Sequence, residues 1–375
     1  MKRLVFLVNT PEFFLSHRLP IAIKARNKGY DVHIATGSGD AIGEIKELGF
    51  RYHYISITRS GQNVFAELKT LKSIYSLFKL LQPDVVHLVT IKPVLYGGLI
   101  ARITGVKSVV AAISGLGSVF LAESVVKKVR RWIVIKLYKE ALKHKRLRVI
   151  FQNPDDRDLF TIHRIVAKSN TKLIRGSGVD LSEYAVYPEP IGRPVVSLAA
   201  RLLKDKGVFD FVEAGRLLKS RSITVDMRLI GDRDPGNPSS VSESDISLWQ
   251  KEGVIDVQGF KESIAQEYAK SNIVCLPSYR EGLPKSLIEA AACGRAVITT
   301  DVPGCRDAIA PDVSGLLVSP KDPTALANAI EYLVKNPNIR VQMGKRGRQL
   351  AEKEFSVEKV IDEHISIYDE LTKNV

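Results

Sequence analysis

Short apolar runs alternate with longer segments of helical period along nearly the whole chain. In the first half the runs are Arg3–Val8, Asp31–Thr36, Tyr52–Ile57, Val85–Val89, Ser108–Ile113, Val149–Gln152 and Lys172–Ile174. Helical patterns lie between them, notably Val64–Leu81 and Glu123–His144. The second half repeats the arrangement with Val195–Leu198, Asp226–Ile230, Ile255–Val257, Ile273–Leu276, Ala296–Thr299 and Leu316–Val318. Strands of almost unbroken Val, Ile and Leu, separated by helices, predict parallel sheets covered on both faces. The expected fold is therefore α/β, with two doubly wound domains. The break between them falls near Tyr184–Arg193, where Pro188, Pro190, Gly192 and Pro194 cluster. That gives a first domain over 1–185, a second over 193–355, and a terminal helix over 356–375 expected to cross back to the first. Ligands of such sheets bind at the carboxyl ends of the strands, so the cleft between two domains is the expected site.

Composition narrows the function classes. The chain has 375 residues, 45% of them hydrophobic, enough for a core in each of two domains. Its three cysteines, Cys275, Cys293 and Cys305, form no Cys-x-x-Cys pair, so neither a disulfide framework nor a zinc site is expected. Leu4–Val8 is too short for the core of a signal peptide, and no window of 18 residues lacks a charge. A cytoplasmic protein is the expectation. The net charge of +14 is unevenly spread: residues 1–190 hold 30 basic and 15 acidic groups, a net of +15, and residues 191–375 hold 25 and 26, a net of −1. The first half alone therefore asks for an anionic partner, whether nucleic acid, membrane or phosphorylated substrate.

The stretch Ser278–Ala290 carries the most chemistry. It follows the apolar run Ile273–Leu276 and opens a helix-forming segment from Ser286, so Glu281, Gly282, Leu283 and Pro284 are expected to form a strand-to-helix turn. Pro284 suits the first helical position, where its missing N–H costs nothing. Such a turn aims backbone N–H groups and the positive end of a helix dipole at whatever lies in front, a seat for a phosphate. Glu281 stands at its mouth, and Glu289 follows eight residues later on roughly the same face. Two carboxylates beside a phosphate need partners that donate hydrogen bonds, and sugar hydroxyls do so. The spacing alone also fits an ordinary capped helix with a surface Glu.

This Glu-x7-Glu stretch, with its Glu-Gly-Leu-Pro opening, resembles the signature of glycosyltransferase family four, retaining enzymes of the GT-B fold, in which two Rossmann-like domains face a cleft. Further motifs extend the resemblance over nearly the whole chain. Arg201-Leu-Leu-Lys-Asp-Lys206-Gly207 resembles the family's Arg-x4-Lys-Gly loop, whose Arg and Lys hold the donor diphosphate; a fork donor and a point charge suit that ligand independently. Val257-Gln258-Gly259-Phe260 is similar to the segment that lines the nucleobase. In the first half, Phe14-x-x-His17-Arg18 and the Ser114-Gly115-Leu116-Gly117 turn resemble the branch that extends lipid-linked bacterial glycans, as in lipopolysaccharide O-antigen. There His17, Arg18, His87, Ser114 and Gly115 are the expected acceptor-binding residues, with His87 placed at a strand end. Two departures stand out. The paired glycines many members carry after the first strand are missing, and Ser114 occupies the place where many have a His.

The resemblance implies a UDP-sugar donor (a GDP-sugar less so), with an undecaprenyl-diphosphate-linked glycan as acceptor. Glu281, Arg201 and Lys206 are then the catalytic residues, and Gly207, Gly259, Phe260, Gly282, Leu283, Pro284 and Glu289 bind the donor. No cofactor and no metal are expected, although Asp232-Arg233-Asp234 matches the Asp-x-Asp metal motif of another glycosyltransferase fold. The fold also hosts nucleotide-sugar epimerases, which need no lipid acceptor. A non-catalytic basic binding protein would explain the charge but not these motifs, and no nucleic-acid motif appears. The charge has a local centre. Residues 121–148 hold ten basic residues against Glu123 and Glu140, a net of +8. At 100° per residue, Val126, Val129, Ile133, Leu137 and Ala141 fall on one side, expected to pack on the sheet. Trp132, Ile135, Tyr138 and Leu142 fall among the basic residues opposite, the composition of an interfacial helix. The expectation is a protein held on the inner face of an anionic membrane through this helix.

Overall fold

The computed structural model describes residues 1–57, 63–116 and 125–373. It contains two compact units, Met1–Ser177 with Glu358–Val375, and Gly178–Val357. Each is built on one parallel sheet. In the first unit the strands are β1 (Arg3–Leu7), β2 (Asp31–Thr36), β3 (Arg51–Tyr54), β4 (Val85–Val89), β5 (Ser108–Ile113), β6 (Leu147–Phe151) and β7 (Thr171–Leu173), in the order β3-β2-β1-β4-β5-β6-β7. In the second they are β8 (Val195–Ala199), β9 (Asp226–Ile230), β10 (Asp256–Gly259), β11 (Ile273–Leu276), β12 (Ala296–Thr300) and β13 (Gly315–Val318), in the order β10-β9-β8-β11-β12-β13. The order reverses beside β1 in one sheet and beside β8 in the other. Loops that leave neighbouring strands diverge there and open a crevice.

The sequence explains why these sheets are double-sided. All five residues of β4, all six of β5 and all five of β8 are buried, which only strands covered on both faces permit. Helix starts are set locally. Thr10 accepts from the Phe13 N–H with Pro11 next, Asn153 accepts from Asp156 with Pro154 next, and Asp322 accepts from Ala325 with Pro323 next.

One boundary differs from expectation. The first unit ends at Ser177, not near residue 185. Val179 bridges to Ser356, and Tyr184 hydrogen-bonds Glu289, so residues 178–185 are tied into the second unit. Prolines at 188–194 mark a bend in the chain but not the seam. From Glu358 onward the Val357–Thr372 helix belongs to the first unit, where Val360, Ile365, Ile367, Tyr368 and Leu371 fill the core beside Leu4, Phe6 and Phe14.

The basic helix, Val125–Ala141, is rotated from the orientation its periodicity predicts. Tyr138, Ala141 and Leu142 are buried, and Ile135 packs on the same core, whereas Val129, Ile133 and Leu137 are exposed. The Tyr138 ring meets the edge of Phe160 at 4.9 Å, and Gly98 leaves no room for a side chain against Ala141. Bulk at position 138 and closeness at 141 choose the inward face. A plot at 100° per residue weighs all apolar residues alike and misses both. Residues 121–124, including Glu123, and Gly117 of the Gly-Leu-Gly turn lie outside the described residues.

Candidate active site

At the carboxyl end of the second sheet, two loops are pressed together. Gly207 has φ +72°, and a Cβ there would meet the Pro277 carbonyl oxygen at 2.0 Å, so only glycine brings this loop against the end of β11. Asp205 O accepts from the Tyr279 N–H at 2.9 Å and from the Ser278 hydroxyl at 2.9 Å. This docking carries Lys206 onto Glu281: its ammonium pairs with Glu281 Oε1, which also accepts from Ser278 Oγ at 2.8 Å. Gly304, at φ +82°, lets the next turn close on Glu281 and Gly282, where a Cβ would lie 2.5 Å from the Glu281 carbonyl. The Glu281 N–H donates to Pro303 O at 3.2 Å. Backbone and side chain of Glu281 are thus both fixed before any ligand arrives.

The helix that follows runs from Lys285 to Ala292. Pro284 is its cap, with extended backbone (φ −70°, ψ 122°), and not its first residue as expected. Leu283 is buried beneath the turn. Glu289 lies in the second helical turn and is largely enclosed, with its Oε1 accepting from the Tyr184 hydroxyl at 2.6 Å and pairing with Lys285 at 3.2 Å. Burial raises its pKa, and Lys285 and Tyr184 oppose the rise. The nearby thiol of Cys305 is pushed up to about 12 by burial and then by the charge of Glu281.

Gly259 and Phe260 stand on a neighbouring crevice. A cavity of about 320 Å³ is lined by Leu202, Gly231, Asp232, Arg233, Pro235, Ile246, Val257 and Gly259. Asp232 accepts from the Phe260 N–H at 3.1 Å, and the Phe260 ring is 70% exposed, free to stack on a planar group. The two carboxylates of Asp-x-Asp are divided, since Asp234 Oδ2 accepts from Arg201 Nη1 at 2.6 Å. Among the described residues no three of His, Cys, Asp and Glu gather where a metal ion would sit.

In the first unit the expected acceptor residues separate into two groups. Ser114 and Gly115 follow β5 directly, and Ser114 Oγ is buried without a hydrogen-bond partner among the described residues. His17 lies on the Pro11–Asn27 helix with its ring stacked on Phe13 at 4.1 Å. Arg18, expected beside it on one ligand, points the other way. It is 2% exposed, its Nη1 donates to His17 O, and burial lowers its pKa to about 10. His87 is not at a strand end but in the middle of β4, fully buried, with Nδ1 2.5 Å from the Tyr368 hydroxyl and its ring stacked on His364. Neither Arg18 nor His87 reaches a ligand without opening the core.

Both halves of the chain match glycosyltransferase families. Residues 3–153 match the family described as "Glycosyl transferase 4-like", and residues 183–350 match "Glycosyl transferases group 1", together most of the chain. The chain is a glycosyltransferase with a 4-like first domain and a group 1 second domain. It is 26% identical, over the full length of both chains, to an N,N'-diacetylbacillosaminyl-diphospho-undecaprenol alpha-1,3-N-acetylgalactosaminyltransferase of Campylobacter jejuni. It is 22% identical, over 93% of its own length and 91% of the relative's, to the Escherichia coli UDP-Gal:alpha-D-GlcNAc-diphosphoundecaprenol alpha-1,3-galactosyltransferase. Its fold, GT-B, matches that of sucrose-phosphate synthase from Thermosynechococcus elongatus with a TM-score of 0.82 at 19% identity, over all of both chains.

Sequence reasoning about this glycosyltransferase missed several residues. Asn9 and Thr90 follow β1 and β4, the strands flanking the reversal, and each has a buried side-chain oxygen without a partner among the described residues. Thr90 holds φ +74°, unusual for a β-branched residue, and strain of this kind collects at functional sites. Lys92 is paired with Glu67 at 2.6 Å. Polar residues directly after buried strands were the available signal, but Asn and Thr there read equally well as caps.

Proposed function

We propose that this glycosyltransferase moves a hexose or N-acetylhexosamine from a UDP-sugar to a polyprenyl-diphosphate-linked sugar, with retention, in the assembly of a bacterial surface glycan. The observation that carries the reading is the contact of Lys206 with Glu281 at the mouth of the 282–284 turn. When the bond between the anomeric carbon and the diphosphate breaks, negative charge grows on the leaving phosphate. Arg201, Lys206 and the N–H groups at the start of the Lys285–Ala292 helix would stabilise that charge without reorganising. Glu281 would accept from the donor hexose hydroxyls and Glu289 from the ribose, while Phe260 stacks on the base. Retention is what the family resemblance implies, with the leaving phosphate taking the acceptor's proton. The donor, the lipid-linked acceptor and the setting are supported by the relatives' activities on undecaprenyl-diphosphate sugars. The test is a panel of UDP- and GDP-sugars against extracted lipid-linked acceptors, read by product mass. Product from GDP-sugars alone would overturn the choice of UDP.

Activity is expected to survive EDTA, because Asp232 and Asp234 are engaged by Phe260 and Arg201. Loss on chelation, restored by magnesium or manganese, would give those two carboxylates to a metal.

The acceptor's lipid asks the first unit to meet a membrane. No helix among the described residues is long and apolar enough to cross one. The Val125–Ala141 helix offers a surface instead, with Val129, Trp132, Ile133 and Leu137 exposed and Lys136 lying over the Trp132 ring at 5.1 Å. Apolar groups among basic ones suit the interface of an anionic leaflet, where each cation contributes on the order of 1 kcal/mol. Changing Lys127, Lys128 and Arg131 together to Glu is expected to abolish co-sedimentation with anionic vesicles at low salt and to spare UDP binding. Unchanged sedimentation would refute the docking face.

A further inference from the structure

Both cations assigned to the donor diphosphate already carry an internal carboxylate. Lys206 holds Glu281, whose use is given above. Arg201 holds Asp234, whose use is not. Asp234 is well placed to act as an anion. Its backbone N–H donates to Ser240 Oγ at 3.1 Å, and Asp232, two residues before it, is tied to the Phe260 N–H. Its side chain is 19% exposed, whereas that of Arg201 is 48% exposed. The backbone of Asp234 is therefore held and its carboxylate is the less exposed of the pair, and the guanidinium is the partner that can change hands.

A carboxylate and a phosphate both accept from the same fork of N–H groups. Two anions crowded on one guanidinium would repel, so an arriving diphosphate and Asp234 compete. We propose that Asp234 is a positioning residue that occupies Arg201 in place of the donor diphosphate and retakes it as the nucleotide product leaves. In the empty site it keeps Arg201 directed along the loop it shares with Lys206. After transfer it gives Arg201 a second partner, which favours release of the product. The competition is mild, because an exposed pair of this kind shifts an equilibrium by only about fivefold.

This proposal rests on the donor-site reading, and titration of UDP, with GDP alongside, tests the two separately. Asp234→Asn removes the competing charge and keeps the shape. It is expected to bind UDP up to about fivefold more tightly, lower the donor KM by a similar factor, and, by holding the product longer, reduce kcat. Asp234→Glu restores the carboxylate and is expected to return the affinity toward that of the natural chain. A merely structural role would weaken binding, not tighten it. Unchanged or weaker UDP affinity in Asp234→Asn, at an unchanged Tm, would overturn the exchange. Should that variant fold poorly, Asp234→Ser carries the same expectation. A natural chain that binds neither UDP nor GDP would overturn the donor-site reading itself, and the exchange with it.

Discussion

Lys206→Ala is expected to lower kcat by roughly 10²–10³-fold, the loss that follows removal of one preorganised donor to a developing anion. Lys206 is a strong case because its surroundings hold it in place. Its side chain is 19% exposed, Gly207 seats the loop on Pro277, and Glu281 takes the ammonium. A charge fixed in this way meets the leaving phosphate without first ordering itself. Glu281→Gln is expected to abolish transfer with the fold intact, for the complementary reason: the amide adds a donor where hydroxyls must donate, and it drops the ion pair to Lys206. The two residues touch, so their effects are not expected to add. A double variant little worse than the worse single one is the expected outcome. Circular dichroism and Tm separate this from unfolding, since Lys206→Ala leaves a nearly buried carboxylate without its cation and is expected to cost about 1–3 kcal/mol. Full transfer activity in Glu281→Gln would sink its assigned role.

The path from sequence to site is most direct where local rules and packing agree. Thirteen runs become thirteen strands, seven in one sheet and six in the other; the central ones are plain because a strand covered on both faces has no polar position to confuse its pattern, while the edge strands β3, β7 and β10 are only partly buried. That Lys206 and Glu281 serve one site was legible only through the resemblance, and their contact was not expected. Seventy-five residues separate them, and nothing in either motif by itself says that Gly207 must meet Pro277. What misled was polarity read without depth. His17 and Arg18 are adjacent, so a helix turns them about 100° apart, one onto Phe13 and the other into the core. His87 was expected at the end of its strand, yet the register pairs it with Phe6 and Val110, two positions short of Val89. The basic helix shows the same limit on a larger scale, since two apolar faces compete and the size of Tyr138 decides between them.

That misread group gives the second large effect. Arg18, His87, His364 and Tyr368 meet inside the first unit, where the Pro11–Asn27 and Val357–Thr372 helices cover β4. Both imidazoles are held neutral, first by burial; a proton on His87 would then be opposed by one on His364 and by the Arg18 guanidinium, and a proton on His364 by Arg18. His364 donates from Nδ1 to its own helix at Val360 O, 2.7 Å away, which leaves Nε2 as a bare acceptor. Its pKa falls from 6.5 to about 3, and that of His87 lies well below 6.5. Between pH 6.5 and 3 the unfolded chain therefore binds protons that the fold refuses. Stability is complete above 6.5 and falls as the pH is lowered, by about 1.4 kcal/mol per pH unit for His364, with His87 acting in the same direction. His364 alone would remove about 3 kcal/mol by pH 4.5, a large share of the 5–15 kcal/mol typical of a domain, and His87 adds to the loss in the same direction. Urea midpoints measured at half-unit steps from pH 7 to 5 are expected to fall steadily. His364→Leu should flatten the slope, whatever it does to stability at pH 7. An unchanged slope in that variant would mean that His364 takes up its proton inside the fold, and that Arg18 does not hold it off.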